Sequence, residues 1–125
     1  MTGVQRFANR IEQIKGVGNY IVARNDGQIV IHNLENPEKL TSLVTIGGFH
    51  SVAIQKTLGF SDFGYLIYIR PQNQNLIIFA LDKYYIGILQ KIDSNQTQLI
   101  EDVSRFLFNL KNQKKTNNTS KEEEH

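Results

Sequence analysis

The chain has 125 residues, no cysteine and a formal charge of +2. One domain of this size buries roughly two-thirds of its unfolded surface and folds without cross-links. Without cysteine there are no disulfides, thiol nucleophiles or thiolate-bound metals, and a reducing compartment is expected. Because basic and acidic residues are interleaved along the chain, nucleic-acid binding is not expected. The sequence has no signal-peptide core and no apolar run long enough for a transmembrane helix, so we expect a cytoplasmic protein without membrane insertion.

The first predicted element is an amphipathic helix. Apolar residues recur at intervals of three and four positions from Val4 to Ile14. That spacing places them on one side of a helix over about residues 2–15. Gly16 and Gly18 are expected to end it.

A β-hairpin is expected next. Two short β-branched segments, 19–24 and 28–32, flank the sequence Asn25-Asp26-Gly27. An Asp-Gly pair between such segments is the strongest short hairpin signal, since glycine readily adopts the positive φ that the turn requires. Asp26 and Gly27 are therefore predicted as structural turn residues.

The sequence Asn36-Pro37-Glu38 marks the start of a second helix, which is expected to run as far as Gly59. Its apolar face begins with Leu40, Leu43 and Val44. Gly47 and Gly48 interrupt the pattern at a cost of about 0.5–1 kcal/mol each relative to alanine. Two interpretations stay open: the helix breaks at the glycines, or it needs a bare patch where another backbone approaches closely.

Three strands then follow in quick succession. Segments 64–70, 76–81 and 84–91 are rich in aromatic and β-branched residues, and short turn sequences separate them. This pattern predicts an antiparallel meander. The segment from Leu76 to Leu81 is almost wholly apolar, which indicates a central strand covered on both faces.

A last helix is predicted after a cap at Asp93 or Ser94. Its apolar stripe consists of Leu99, Val103, Phe106 and Leu110. Residues 114–125 contain no apolar side chain, so they are expected to form a disordered polar tail. Residues 1–113 then make up the single folded domain.

The order α-β-β-α-β-β-β-α predicts an α+β fold with three layers, α/β/α. Because its central strands are apolar, the five-stranded antiparallel sheet needs helices on both faces. We expect the first and last helices on one face and the middle helix on the other.

The sequence offers no catalytic constellation. His32, His50 and His125 have no partners at the spacing of metal ligands, and no serine stands in a nucleophile-elbow motif. The segment Gly16-Val17-Gly18 matches only half of a dinucleotide fingerprint and lies between a helix and a strand, where the fingerprint does not belong. We therefore predict no catalytic residues, no metal, no cofactor and no enzyme activity of the chain's own.

The order of elements, with GVGNYIVARNDGQIV after the first helix, resembles the Roadblock/dynein light chain family and its bacterial polarity regulators. The resemblance covers about residues 4–110 and rests on turn and core residues. It implies a homodimer, or a dimer with a paralogous subunit, paired through the middle helix and the third strand. Family dimers bind Ras-like small GTPases or serve as adaptors, and some bacterial relatives accelerate GTP hydrolysis without supplying an arginine finger.

The position of the third strand independently indicates that the chain pairs with a second chain. It is expected at a sheet edge, and an apolar edge promotes aggregation unless another chain covers it. A two-fold pairing would cover it with an isologous contact. The predicted dimer or partner interface consists of Leu40, Leu43, Val44, Gly47, Gly48, Tyr65, Ile67, Tyr68 and Ile69.

The leading hypothesis is a non-catalytic dimeric regulator or scaffold for a small GTPase. Two alternatives remain: an adaptor subunit of a larger complex without a GTPase, and a profilin-like domain that senses a small molecule. The second alternative requires several polar groups that converge on an apolar cleft, and the sequence shows none.

Overall fold

A computed structural model describes residues 3–58, 64–70 and 74–123, with side chains described over 3–57, 64–70 and 74–112. Its elements follow the predicted order. They are α1 (Gly3–Gln13), β1 (Val17–Arg24), β2 (Ile29–His32), α2 (Glu38–Leu58), β3 (Tyr65–Tyr68), β4 (Leu76–Leu81), β5 (Tyr84–Gln90) and α3 (Gln96–Glu123).

The five strands form one antiparallel sheet in the order β2-β1-β5-β4-β3. The last strand in the chain, β5, lies at the centre between β1 and β4. As predicted, β4 is an interior strand, and its first four residues, Leu76 to Phe79, are fully buried. The strands at the two edges of this sheet are β2 and β3.

Each face of the sheet has its own core, because the side chains of a strand alternate between the faces. Phe79 packs on one face in a cluster with Ile11 of α1 and Leu99 of α3. Its neighbour Ile78 packs on the opposite face in a cluster with Val44 of α2. The predicted three-layer arrangement, with the first and last helices on the same face, is therefore confirmed.

The turn between β1 and β2 forms as predicted. Gly27 has a φ of +91°. The carboxylate of Asp26 accepts hydrogen bonds from the Arg24 guanidinium and from the Gln28 N–H. These donors stabilise the charged form and lower the pKa of Asp26, the Arg24 side chain contributing most.

The cap of α3 differs from the prediction. The Gln98 N–H donates to Oδ1 of Asn95 at 2.9 Å, so Asn95 caps the helix instead of Asp93 or Ser94. Asp93 has a positive φ of 68°, and the Ser94 hydroxyl donates back to the Lys91 carbonyl. Both residues serve the turn that precedes the helix, where short polar side chains are also favoured.

The middle helix is continuous through Gly47 and Gly48, which answers the question that the sequence left open. Both glycines are buried against the sheet of their own chain. A Cβ at position 48 would overlap the ring of Tyr85, and one at position 47 would lie 2.5 Å from Cδ1 of Ile78. The bare patch therefore lets α2 approach its own sheet closely, and its neighbours there are side chains instead of another backbone.

The helical backbone of α3 continues through Glu123, beyond the predicted boundary at residue 113. Residues 114–123 contain neither glycine nor proline, and their lysine and glutamate residues are good helix formers. The same residues include no apolar side chain that could attach them to the sheet. The division into a domain of residues 1–113 and a tail stays a prediction.

Candidate partner-binding surface

The side of α2 that points away from the sheet is apolar and exposed. Its four large apolar side chains expose between 38% and 65% of their surface. A histidine and an alanine lie among them and are also exposed. Monomeric proteins rarely expose apolar side chains in one contiguous set unless it binds something. The outer face of α2, as we call this surface, consists of Leu43, Ile46, Phe49, His50, Ala53 and Ile54.

The outer face also lacks charge. Residues 40–55 contain no aspartate, glutamate, lysine or arginine, although about half of this helix faces away from the core. The imidazole of His50 is the single titratable group in the segment, and its ring centroid lies 6.0 Å from that of Phe49. A helix face that remains in water normally carries charged residues. This face therefore has the composition of a contact surface.

The edge strand β3 lies beside α2. The ring of Tyr68 packs close to Gly47, where an added Cβ would lie 3.2 Å from its Cε2. The Tyr65 ring belongs to the other face of the sheet, where it is half exposed and tilts against Phe79 with centroids 6.0 Å apart. No strand pairs with the outer edge of β3 among the described residues. The helix α2 consequently lies beside the strand that forms this open edge.

The structure separates the predicted interface residues into three groups by their exposure. The exposed ones are Leu43, Tyr65 and Ile69, and the half-buried ones are Leu40, Ile67 and Tyr68. The sequence also predicts Val44, Gly47 and Gly48 to face a partner, but these three are buried in the contact between α2 and its own sheet. This placement has a simple physical cause: α2 is apolar on two sides, and the three residues lie on the inner one.

The sequence prediction does not include Ile46, Phe49 and Ile54, which are the most exposed apolar residues of α2. Two signals could have identified them. They recur at intervals of three and five residues on the side opposite Val44 and Ser51, and no charged residue stands between them.

Two buried donors lie near the ends of β3. Nε2 of Gln55 and Nη1 of Arg70 are inaccessible to solvent and have no hydrogen-bond partner within the described chain. The Gln55 amide packs against Gly64, just before the strand, and Arg70 follows the strand. A buried donor without an acceptor costs about 1–3 kcal/mol. The β3 edge thus has unmet hydrogen-bonding capacity as well as apolar surface.

A crevice of about 330 Å³ opens between α1 and α3, on the other face of the sheet. The Arg10 guanidinium lies over the Phe106 ring, 5.1 Å from its centroid. Arg105 lies 3.8 Å from the Asp102 carboxylate. The charged groups of the crevice are therefore engaged by neighbours, which favours the α2 surface over this crevice as the functional site.

Across the described ranges, neither the titratable groups nor the helices indicate another kind of site. Over the described residues, no group of three or more histidine, cysteine, aspartate or glutamate side chains could hold a metal ion. The Nδ1 atom of His32 accepts a hydrogen bond from the Leu34 N–H at 3.0 Å, which is a local role at the end of β2. Within the same part of the chain, no helix has the length and apolarity needed to cross a bilayer.

No protein-family model matches the chain, and no curated protein matches it. Solved structures do match. Myxococcus xanthus MglB is 10% identical, with a TM-score of 0.66 over 86% of this chain and 90% of that one. A Roadblock/LC7 domain from Streptomyces avermitilis is 7% identical, with a TM-score of 0.60 over 83% and 90%. An MglB with tetrameric arrangement is 14% identical, with a TM-score of 0.63 over 86% and 87%.

At these identities the likeness is one of fold. The chain has a Roadblock-family fold, as the sequence resemblance implied. The similarity extends over most of each compared chain, so it concerns the whole arrangement and not a single motif. The arrangement of this chain recurs in the MglB structures and in the Roadblock/LC7 domain alike.

Proposed function

We propose that this chain is a non-catalytic regulator or scaffold that self-associates and binds a Ras-like small GTPase as a dimer. The observation that carries the proposal is the uncharged, exposed outer face of α2 beside the open edge of β3. A surface of this kind supports action by binding. Nothing in the proposal requires a catalytic side chain of the chain's own.

The apolar side chains of the outer face supply the driving force. Complete burial of a leucine, isoleucine or phenylalanine is worth about 1.5–3 kcal/mol, and association itself costs at least about 4 kcal/mol. Leu43, Ile46, Phe49 and Ile54 are each about half exposed, so one copy alone offers a modest gain. In a two-fold pairing every residue contributes twice, which favours a second copy as the occupant.

Two further features support self-association. A segment without charges needs no complementary charges on its partner, so an identical segment suits it as well as any other. The edge of β3 offers backbone groups that an antiparallel β3 from a second copy could pair. A tetrameric arrangement is also described for one MglB structure of the same fold.

The family resemblance and the shared fold are what support a GTPase as the partner. The resemblance implies a dimer that offers its middle helices and flanking strands to a Ras-like GTPase, and a pairing through α2 and β3 would build such a platform here. Regulation of GTP hydrolysis would then work through the shape of the dimer. An adaptor role without a GTPase is the competing function.

The first test measures self-association. Gel filtration with light scattering should report a dimer at micromolar concentration, and Ile46→Asp should shift the mass to that of a monomer by placing a charge in the contact. Ile92→Asp is the matched control, because Ile92 is also exposed but lies in the turn between β5 and α3. A monomeric wild-type chain, or unchanged mass for Ile46→Asp, would overturn the proposed surface.

The second test addresses the GTPase. Calorimetry with a purified Ras-like GTPase from the same organism should show binding to one nucleotide form, GTP-loaded or GDP-loaded, in preference to the other. The Ile46→Asp variant should bind more weakly, since it lacks the dimeric platform. Absence of binding in both nucleotide states, with an intact dimer, would favour the adaptor role.

A further inference from the structure

His50 occupies the middle of the outer face of α2. Ile46 precedes it by one turn and Ile54 follows it by one turn, so the three side chains lie along one line of the helix surface. All three are exposed in the single chain. Any partner that covers both isoleucines must also cover the imidazole between them.

No carboxylate stands near enough along α2 to compensate a charge on His50. The sequence has no acidic residue from Lys39 to Ser61, and the charged residues of α2 nearest to His50 are the lysines Lys56 and Lys39. Both lie more than one helical turn away from the imidazole.

The elements packed against α2 supply no free carboxylate either, as far as the structure describes them. The titratable groups that lie against the glycines on the inner side of α2 are the phenols of Tyr68 on β3 and Tyr85 on β5, and Arg70 follows β3. The turn between β1 and β2 reaches the helix at Thr45, and the carboxylate of that turn, Asp26, is bonded to Arg24. Among the residues whose side chains are described, a positive charge on His50 would therefore have no counter-ion.

We infer that self-association of this chain is switched by protonation of His50, an inference that rests on the proposed dimer through α2. Histidine ordinarily gains its charge between about pH 8 and pH 5. An isologous contact buries two copies of the imidazole, and a buried cation without a carboxylate is strongly unfavourable. The neutral form is therefore the one that fits the interface.

The sign of the pH effect follows from proton binding. The separated chains bind more protons than the dimer, because the imidazole is solvated only when the chains are apart. Acid consequently drives dissociation, and association is stronger at pH 7.5 than at pH 5.5. With two histidines per dimer, the dissociation constant should rise on the order of 10–100-fold between pH 7.5 and pH 5.5.

The test is sedimentation equilibrium of the full chain at pH 7.5, 6.5 and 5.5, with circular dichroism at each pH to confirm folding. His50→Gln should remain dimeric throughout, because its side chain is neutral at every pH. His50→Lys should be as weakly associated at pH 7.5 as the wild type is at pH 5.5. His32→Gln is the matched control and should keep the wild-type pH dependence, since His32 lies on β2 and bonds locally.

Two outcomes would overturn the inference and leave the proposed dimer standing: a wild-type dimer of constant affinity from pH 7.5 to 5.5, or a pH dependence that His50→Gln retains. A chain that is monomeric at every pH would instead refute the α2 surface and the switch together.

Discussion

The helices α2 and α3 each cover one face of the sheet, but their solvent-facing sides differ in charge. Each packs one apolar side onto the sheet, through residues such as Val44 in α2 and Leu99 in α3. The exposed side of α3 carries charged residues, among them Glu101 and Arg105. The exposed side of α2 has no charge over residues 40–55. Folding requires only the inner side, so the missing charge on the outer side of α2 is a feature that the proposed binding role would account for.

The largest expected effect lies in the buried stripe of α3. Leu107→Ala truncates a fully buried side chain and should lower the free energy of unfolding by about 2–5 kcal/mol. Ile46→Ala on the outer face of α2 should change it by less than about 0.5 kcal/mol in the monomer. Urea denaturation at submicromolar concentration measures both. Equal losses for the two variants would show that the outer face belongs to the chain's own core.

Substitutions on the inner side of α2 should have the next largest effect on the free energy of unfolding. Gly48→Ala places a Cβ within 2.5 Å of the Tyr85 ring and should cost about 1–3 kcal/mol in unfolding free energy, although alanine is the better helix former. Gly47→Ala should cost less, because its Cβ meets the flexible end of Ile78. Gly3→Ala is the control, since nothing lies within 4 Å of a Cβ there. A Gly48→Ala variant as stable as the wild type would mean that α2 can lift from the sheet freely.

A smaller effect is expected for the exposed phenylalanines of the two helices, which should differ in their contribution to self-association. Phe49→Gln should weaken self-association by about 1–2 kcal/mol, which is roughly 5–30-fold in the dissociation constant. Phe108→Gln on α3 is the matched control, because Phe108 is exposed to a similar degree. Sedimentation equilibrium of both variants should show a change for Phe49 alone. Equal weakening would move the interface to include α3.

The smallest effect is expected at the end of α3. A chain that stops at Gln113 should keep its unfolding free energy within about 0.5 kcal/mol and should remain dimeric, because residues 114–125 have no apolar side chain to bury. Thermal unfolding and light scattering measure the two properties. A marked loss of either would give the tail a structural role and contradict the boundary at residue 113.

The framework of the fold could be predicted because its signals are local. Helical spacing in α3, the Asp26-Gly27 turn and the apolar β4 each identify an element within a few residues. The cap at Asn95 is harder to predict, since Asp93, Ser94 and Asn95 are all good capping residues and only the path of the turn selects one.

The candidate surface could be predicted only in part. The sequence indicates that α2 and β3 are apolar, but a helix that is apolar on two sides does not reveal which side meets the sheet. That choice depends on the glycines and on Tyr85, which is distant in sequence and lies beneath Gly48. Leu43 is thus exposed, as a contact residue must be, whereas Val44 and both glycines are not.

The contact between Gly48 and Tyr85 also fixes the height of α2 above the sheet. A helix shifts as a rigid rod, so a methyl group inserted below it raises the whole exposed side by a fraction of its own diameter. Close-packed interfaces tolerate such displacements poorly. Gly48 and Tyr85, which are buried and would not touch a partner, would in this way influence the affinity of the outer face of α2 for that partner.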